Sequence, residues 1–390
     1  MTQVFVTGIG LVSALGKSLE VSWQNLLAGK TGIKLHQPFP ELGIVPLGLI
    51  GEKPANLSMI TQMAVTAALK DAELVPPLVD CAVVIGSSRS QQAAWENLAT
   101  QMYGQNNRPA NLENWLNTLP HTSAIATARQ IGATGAVLAP MAACATGTHA
   151  IAQAVILIQT GQYQRVIAGA VEAPITPLTI AGFRQMGALA TTGAYPFDLH
   201  REGLVLGEGG AIFVLESAEL AQQRQAKIYG EILGFGLTTD AYHPNQPDPQ
   251  GQGAIAAIQQ CLKHSQLTAS NIDYIHTHGT ATQLNDRIES TLIQKLFPVN
   301  IPISSTKGAT GHTLGASAAL GVAFSLLALQ QKTLPPCVGL TQPEFDLNFV
   351  TTNSHQEIQQ ALCFSFGFGG QNAVIALKNI NFPDKCKMSI

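Results

Sequence analysis

The sequence predicts an α/β protein built from two similar halves. β-rich apolar runs alternate with helical ones, the alternation is run through twice, and a polar helical stretch lies between the two sets. With 390 residues, 46% of them hydrophobic and 12% charged, the chain is long enough for two core-bearing units or one large duplicated one.

The first set of strands is expected at "VFVTGIG" (4–10), "CAVVIGSS" (81–88), "RVIAGAVEA" (165–173) and "GAIFVLES" (210–217). Helical patterns fall between them at "MITQMAVTAALKDAEL" (59–74) and after Cys144. Residues 36–57 carry several Pro and Gly without a period and read as irregular. The polar segment "AELAQQRQAK" (218–227) divides the chain into halves 1–226 and 227–390, although no residue-level repeat is visible. The second set of strands is "KIYGEILGFG", "IDYIHTHGT", "IPISSTKG", "LCFSFGFGG" and "NAVIALKNI". Its helices are "QGAIAAIQQCLKH", "LNDRIESTLIQKLF" and "LGASAALGVAFSLLALQ".

A formal charge of −3 gives no basic face for nucleic acid. The longest uncharged apolar run, "GASAALGVAFSLLALQ", falls short of the roughly 20 residues of a membrane span. The start "MTQVFVTGIGLVS" reads as a strand without a basic leader, so a cytoplasmic location is expected. Six cysteines (Cys81, Cys144, Cys261, Cys337, Cys363 and Cys386) lack CxxC spacing. Reduced thiols are therefore expected rather than a disulfide framework or a zinc site.

One cysteine stands in a run of small residues, "MAACATGTHAIAQAVILIQTG" (141–161), at the start of a helical pattern. A helix beginning just after Cys144 points unsatisfied N–H groups and a positive dipole end at the sulfur, which favours thiolate. A buried Cys acting as a small hydrophobe is the competing reading. His278 in "HTHGTAT" and His312 in "STKGATGHTLGAS" each follow an apolar strand and enter a Gly-containing loop, where a side chain emerges into a cleft. Each alone would more often be a capping or core histidine, and it is the two of them beside a helix-mouth Cys that favour a site. His276 and His278 alternate on a strand and face opposite ways, so they do not share a metal, and no metal is expected. His149 falls on another face of its helix and reads as structural. The Gly-rich turn in "FSFGFGGQN" lets backbone N–H groups approach a ligand. One of them, with the N–H of Cys144, can form an oxyanion hole, each donor worth ~2.7–4 kcal/mol in the transition state.

The motifs "AACATGTHA", "YPFDLHREGLVLGEGGA", "HTHGTATQLNDRIES", "SSTKGATGHTLGASAA" and "FSFGFGGQN", in this order and spacing, resemble the elongating β-ketoacyl-acyl carrier protein synthases of the thiolase superfamily. The likeness runs from "VTGIGLVSALG" to "NAVIAL". It implies a duplicated, layered α-β-α-β-α fold, a homodimer, an acyl carrier protein as partner, and no metal or redox cofactor. It further implies that Cys144 takes an acyl chain as a thioester, with the oxyanion held by the N–H groups of Cys144 and Phe368. His278 and His312 would stabilise the enolate made by malonyl decarboxylation, and the enolate would attack the acyl-Cys144 thioester to give a β-ketoacyl product two carbons longer. By the same resemblance Lys307 and Glu289 form an orienting ion pair, Thr280 and Thr282 bind the phosphopantetheine arm, and Phe368 gates the acyl chain. Phe183 and Arg89 complete the expected substrate-binding set.

Departures from the family pattern bear on the substrate. "IGSSRSQQAAW" stands where the family has an apolar Gly-rich loop at the far end of the partner's acyl pocket, so Arg89, Gln91 or Gln92 would shorten or polarise that pocket. "ANLSMITQMAVTAALKD" replaces a strongly basic helix used for carrier docking; Gln371 replaces a usual Thr, and Gly308 a common Ser. Primary fatty acid elongation competes with a specialised lipid or polyketide pathway. A degradative thiolase would need a "CxGGG" turn, and an initiating synthase would have Asn in place of His312. A non-catalytic chain-length partner would lack Cys144, and a cysteine hydrolase would deacylate with water alone.

Overall fold

The computed structural model describes residues 2–103 and 115–380; Cys386 lies outside the described residues. Ten strands form one sheet: β1 (Val4–Ser13), β2 (Ala82–Gly86), β3 (Val137–Leu138), β4 (Arg165–Glu172), β5 (Gly209–Ser217), β6 (Gly230–Thr239), β7 (Tyr274–His276), β8 (Ile303–Ser304), β9 (Gln360–Gly367) and β10 (Gln371–Lys378). Their spatial order is β8-β7-β9-β10-β6-β1-β5-β4-β2-β3. The first half therefore runs 1-5-4-2-3 and the second 6-10-9-7-8, one pattern used twice. Orientation repeats as well: the outer three strands of each half are parallel, and the other two pair antiparallel. Within the sheet the two halves join through two residue pairs of β1 and β6, Phe5 with Glu231 and Val6 with Gly230.

Helices arrange around these strands as layers. The Thr146–Gln159 and Ser317–Gln331 helices pack on each other and on strands of both halves, forming the central layer. Ser317 through Leu329 are all buried, as expected of a helix apolar on every side. The stretch Leu314–Gln331 is long and apolar enough to cross a membrane by length and composition, longer than the sequence reading allowed, and it lies mostly buried within the protein. Outside lie Leu57–Asp71 and Thr122–Ile131 over the first half, and Gln252–His264 over the second.

Glycine placement shows the duplication at residue level. A Cβ on Gly10 of β1 would sit 1.9 Å from the Ala64 carbonyl oxygen of one outer helix, and a Cβ on Gly236 of β6 would sit 1.9 Å from the Ala257 carbonyl oxygen of the other. "GIG" (8–10) and "GFG" (234–236) thus do the same job, letting an outer helix lie directly on the first strand of its half.

Residues 36–57 are more ordered than expected. Ile33–His36 and Val45–Gly48 form an antiparallel pair, hidden from the sequence reading by Pro46 and Gly48. Proline is tolerated because the ribbon has only two strands. A Cβ on Gly48 would lie 2.4 Å from the Thr310 carbonyl oxygen, which presses the ribbon against the turn before His312.

Candidate active site

Cys144 sits in the turn before the Thr146–Gln159 helix, as the small-residue run suggests. Ala143 adopts φ +46°, a left-handed conformation costly for a non-glycine residue and held here by its surroundings. The Thr146 hydroxyl clamps the turn, accepting from the Ala142 N–H at 2.9 Å and donating to the Ala143 carbonyl at 2.6 Å. The second half closes over it: Ser365 Oγ donates to the Cys144 carbonyl at 2.9 Å. A Cβ on Gly367 would lie 3.0 Å from the Cys144 nitrogen. Across the central layer, a Cβ on Gly147 would lie 2.6 Å from the Ala319 nitrogen. Small residues here bring three segments together at the sulfur.

The thiol's ionisation differs from the sequence expectation. Burial pushes Cys144 up to about 11, and the Lys307 charge and the Phe368 backbone N–H pull it only part of the way back. Desolvation of the thiolate outweighs the helix end, so the resting nucleophile is a thiol. Phe368 lines both of the cavities that open at Cys144.

His278 follows β7, and His312 follows the Lys307–Thr310 turn. One ligand atom each from Cys144, His278 and His312 lie within 4.8 Å of one another. The imidazoles stand edge to face, centroids 5.5 Å apart. Nδ1 of His312 meets Ser317 Oγ at 2.8 Å, and Nδ1 of His278 faces Lys307 Nζ at 3.4 Å. Lys307 can only donate, so Nδ1 of His278 accepts and Nε2 carries its proton; Ser317 Oγ, able to donate or accept, is assigned as the donor to Nδ1 of His312, which puts that ring's proton on Nε2 as well. Burial and the Lys307 charge hold both imidazoles well below the usual histidine value, so both are neutral donors. A thiol and two imidazoles this close also match the ligand chemistry of a thiophilic metal, a triple that spacing in the sequence did not suggest. His276 turns away, to Thr306 at 3.1 Å and Cys363 at 3.7 Å. His149 lines neither of the cavities at Cys144.

Lys307 and Glu289 do not form the expected ion pair. Instead they grip the same residue: Lys307 Nζ donates to the His278 carbonyl, while Glu289 accepts from the N–H groups of His278 at 2.5 Å and Gly279 at 2.7 Å. A carboxylate bonded to two backbone donors has its lone pairs engaged, so the ammonium meets the peptide's other end. Burial raises Glu289 to about 7 and lowers Lys307.

Two cavities meet at Cys144 and Phe368. One, of about 320 Å³, also carries His278, His312, Thr280 and Thr282. The two threonine hydroxyls are 2.9 Å apart, with Ala281 between them at φ +65°. The other, of about 190 Å³, is lined by Arg89, Phe183, Met141 and Leu314. Phe183 and Phe368 pack with centroids 5.9 Å apart, and the Arg89 guanidinium lies 5.7 Å from the Phe183 ring centroid. The sequence places Arg89 at a partner's pocket; in the structure it lines the cavity beside its own Cys144.

Sequence reasoning missed Glu172, the fully buried last residue of β4. It accepts from Ser87 Oγ, Ser88 N and Oγ, Arg89 N and Gly315 N at 2.6–3.0 Å, tying the Arg89 loop to the turn after His312. An acid ending the apolar run "RVIAGAVEA" was the available signal. Arg201, also fully buried, bonds the Thr282 and Gln283 carbonyls and pairs with Glu344, holding the threonine loop.

This arrangement agrees with the comparisons to known proteins. Residues 57–221 match the family described as "Beta-ketoacyl synthase, N-terminal domain", and residues 229–341 match "Beta-ketoacyl synthase, C-terminal domain". The chain is 35% identical to the putative mitochondrial 3-oxoacyl-[acyl-carrier-protein] synthase of Schizosaccharomyces pombe, over 97% of this chain and 99% of that one. It is 34% identical to 3-oxoacyl-[acyl-carrier-protein] synthase 2 of Staphylococcus aureus, over 96% and 98%. Among solved structures it resembles a type II polyketide ketosynthase bound to its acyl carrier protein and a hexaketide, with TM-score 0.92, 28% identity, and coverage of 97% and 100%. A β-ketoacyl synthase from Burkholderia phymatum gives TM-score 0.89 at 26% identity, covering 98% and 100%. The chain belongs to the β-ketoacyl synthase family and has its thiolase-like fold. It is an acyltransferase.

Proposed function

We propose that this protein is a β-ketoacyl-acyl carrier protein synthase of fatty acid biosynthesis, condensing an acyl chain on Cys144 with a malonyl unit on acyl carrier protein. The observation that carries this reading is the meeting of Cys144, His278 and His312 within 4.8 Å where two cavities join. The larger cavity takes the phosphopantetheine arm past Thr280 and Thr282. The smaller takes the acyl chain beyond Phe368.

In the first half-reaction the Cys144 sulfur attacks the acyl thioester carbonyl as its proton leaves for the departing pantetheine sulfur. The N–H groups of Cys144 and Phe368 hold the oxyanion. Collapse expels the pantetheine thiolate, which takes the proton, and leaves acyl-Cys144. Malonyl thioester then binds with its carbonyl oxygen at the Nε2–H groups of His278 and His312. The C–CO₂ bond breaks, CO₂ leaves, and its electron pair forms the enolate those donors stabilise. The enolate carbon attacks acyl-Cys144, the C–S bond breaks, and the sulfur leaves as thiolate and takes a proton from solvent. Lys307 and Glu289 act by fixing the His278 backbone. No cofactor enters these steps.

A homodimer and a cytoplasmic location complete the reading. Edge strand β3 leaves Val137 and Leu138 partly exposed, and Trp95, Trp115, Leu116 and Met141 are exposed large hydrophobics of the first half. A second copy would cover such surface. The five described cysteines are free and buried, in keeping with a reducing compartment. Likeness to the hexaketide-bound ketosynthase favours a second reading, in which the same chemistry serves a polyketide chain. Intact mass after incubation with acyl carrier proteins bearing graded chains tests the nucleophile. One acyl adduct on wild type and none on Cys144→Ala is expected; adducts on both contradict it.

A further inference from the structure

The cavity beyond Cys144 is lined by a cation. Arg89 lies in a loop fixed by the five hydrogen bonds to buried Glu172. A Cβ on Gly315 would come within 2.6 Å of that carboxylate, so the cradle has no slack. The facing helix, Pro177–Gln185, is tied to the same segment, since Gln92 Nε2 donates to Thr176 Oγ1 at 3.0 Å and to Thr179 Oγ1 at 2.9 Å. That helix carries Phe183, whose ring face the guanidinium covers. Backbone and ring thus place the Arg89 head in the cavity that Cys144 and Phe368 open into. Among the described residues the guanidinium has neither a carboxylate nor a hydrogen-bond acceptor.

Arg89 is exposed, so water serves its guanidinium until an acyl chain covers it; a purely hydrocarbon chain would strip that water and return no acceptor, at a cost in affinity. We infer that Arg89 selects acyl chains bearing an oxygen acceptor, a keto oxygen or a carboxylate, over saturated chains of the same length. This rests on the condensation reading, with Cys144 as the acylated residue, and names the acyl class that the site prefers. The guanidinium bonds the chain's oxygen while Phe183 packs on its carbon atoms. A charged hydrogen bond of this kind corresponds to a preference of about tenfold or more.

Acylation rates of Cys144 from octanoyl, 3-oxooctanoyl and 7-carboxyheptanoyl thioesters of one acyl carrier protein, read by intact mass, test the inference. The chains share eight carbons, and the last two separate a keto oxygen from a carboxylate. Wild type should take at least one oxygenated chain about tenfold faster than octanoyl. Arg89→Leu should remove or invert that preference, and Arg89→Lys should keep part of it. Equal or faster octanoyl transfer by wild type, or an oxygenated preference surviving in Arg89→Leu, overturns the inference while leaving Cys144 as nucleophile. No adduct on wild type from any of the three overturns both.

Discussion

At the scale of single residues the site runs on neutral groups. Cys144 rests as a thiol because burial raises it to about 11. Its alkylation by iodoacetamide in the free protein should therefore rise about tenfold per pH unit between pH 7 and 9, with Cys144→Ala as the blank. A plateau reached by pH 7 would contradict this. His278 and His312 are held well below 6.5, so lowering the pH from 8 to 6 does not protonate them. Malonyl decarboxylation should stay flat across that range, and a fall centred near pH 6.5 would show solvated histidines instead. His278→Ala and His312→Ala should lose decarboxylation by about 100-fold or more while slowing Cys144 acylation less. Equal losses in both half-reactions would show that the roles are misassigned.

Elements place these groups, and they were unevenly legible in the sequence. Cys144, His278 and His312 were readable because each sits at an element boundary marked by Gly or small residues, Thr280, Thr282 and Phe368 came from the family resemblance, and the structure brings all six to two adjoining cavities. Hydrogen-bond topology was not readable. A Lys and a Glu near one His suggest an ion pair, yet both bind the His278 peptide, because backbone donors compete for a carboxylate and no side-chain pattern records them. Glu172 was missed for the same reason: separate segments converge on it, and only folding joins them. Gly367 is the sharpest element-level test. Gly367→Ala places a methyl 3.0 Å from the Cys144 nitrogen and the Ala142 oxygen, so strand or turn must shift by a few tenths of an ångström. A loss of about 1–3 kcal/mol in stability is expected, together with condensation slowed about tenfold or more. Wild-type rates in a folded variant would remove this strand end from the oxyanion hole.

Over the whole molecule, the duplication was visible as two runs of strand and helix, but its proof lay in strand order and in two glycine pairs with no surrounding sequence likeness. The candidate site needs both halves: the first supplies Cys144 and most of the smaller cavity's lining, the second both histidines, Leu314 and the Phe368 turn. A mutation loosening the central helices at Gly147 or Ala319 should therefore damage catalysis before it unfolds either half. The proposed homodimer is tested at the sheet edge, where wild type should sediment as a dimer and Leu138→Lys as a monomer in analytical ultracentrifugation; a dimer unchanged in the variant would place the interface elsewhere. The most direct test of the central claim is the mass of the product formed from acyl-acyl carrier protein and malonyl-acyl carrier protein. A β-ketoacyl carrier two carbons longer, made by wild type with release of one CO₂ and absent with Cys144→Ala, is the predicted result. Free acid from hydrolysis, with no longer chain under conditions where Cys144 is acylated, would contradict it.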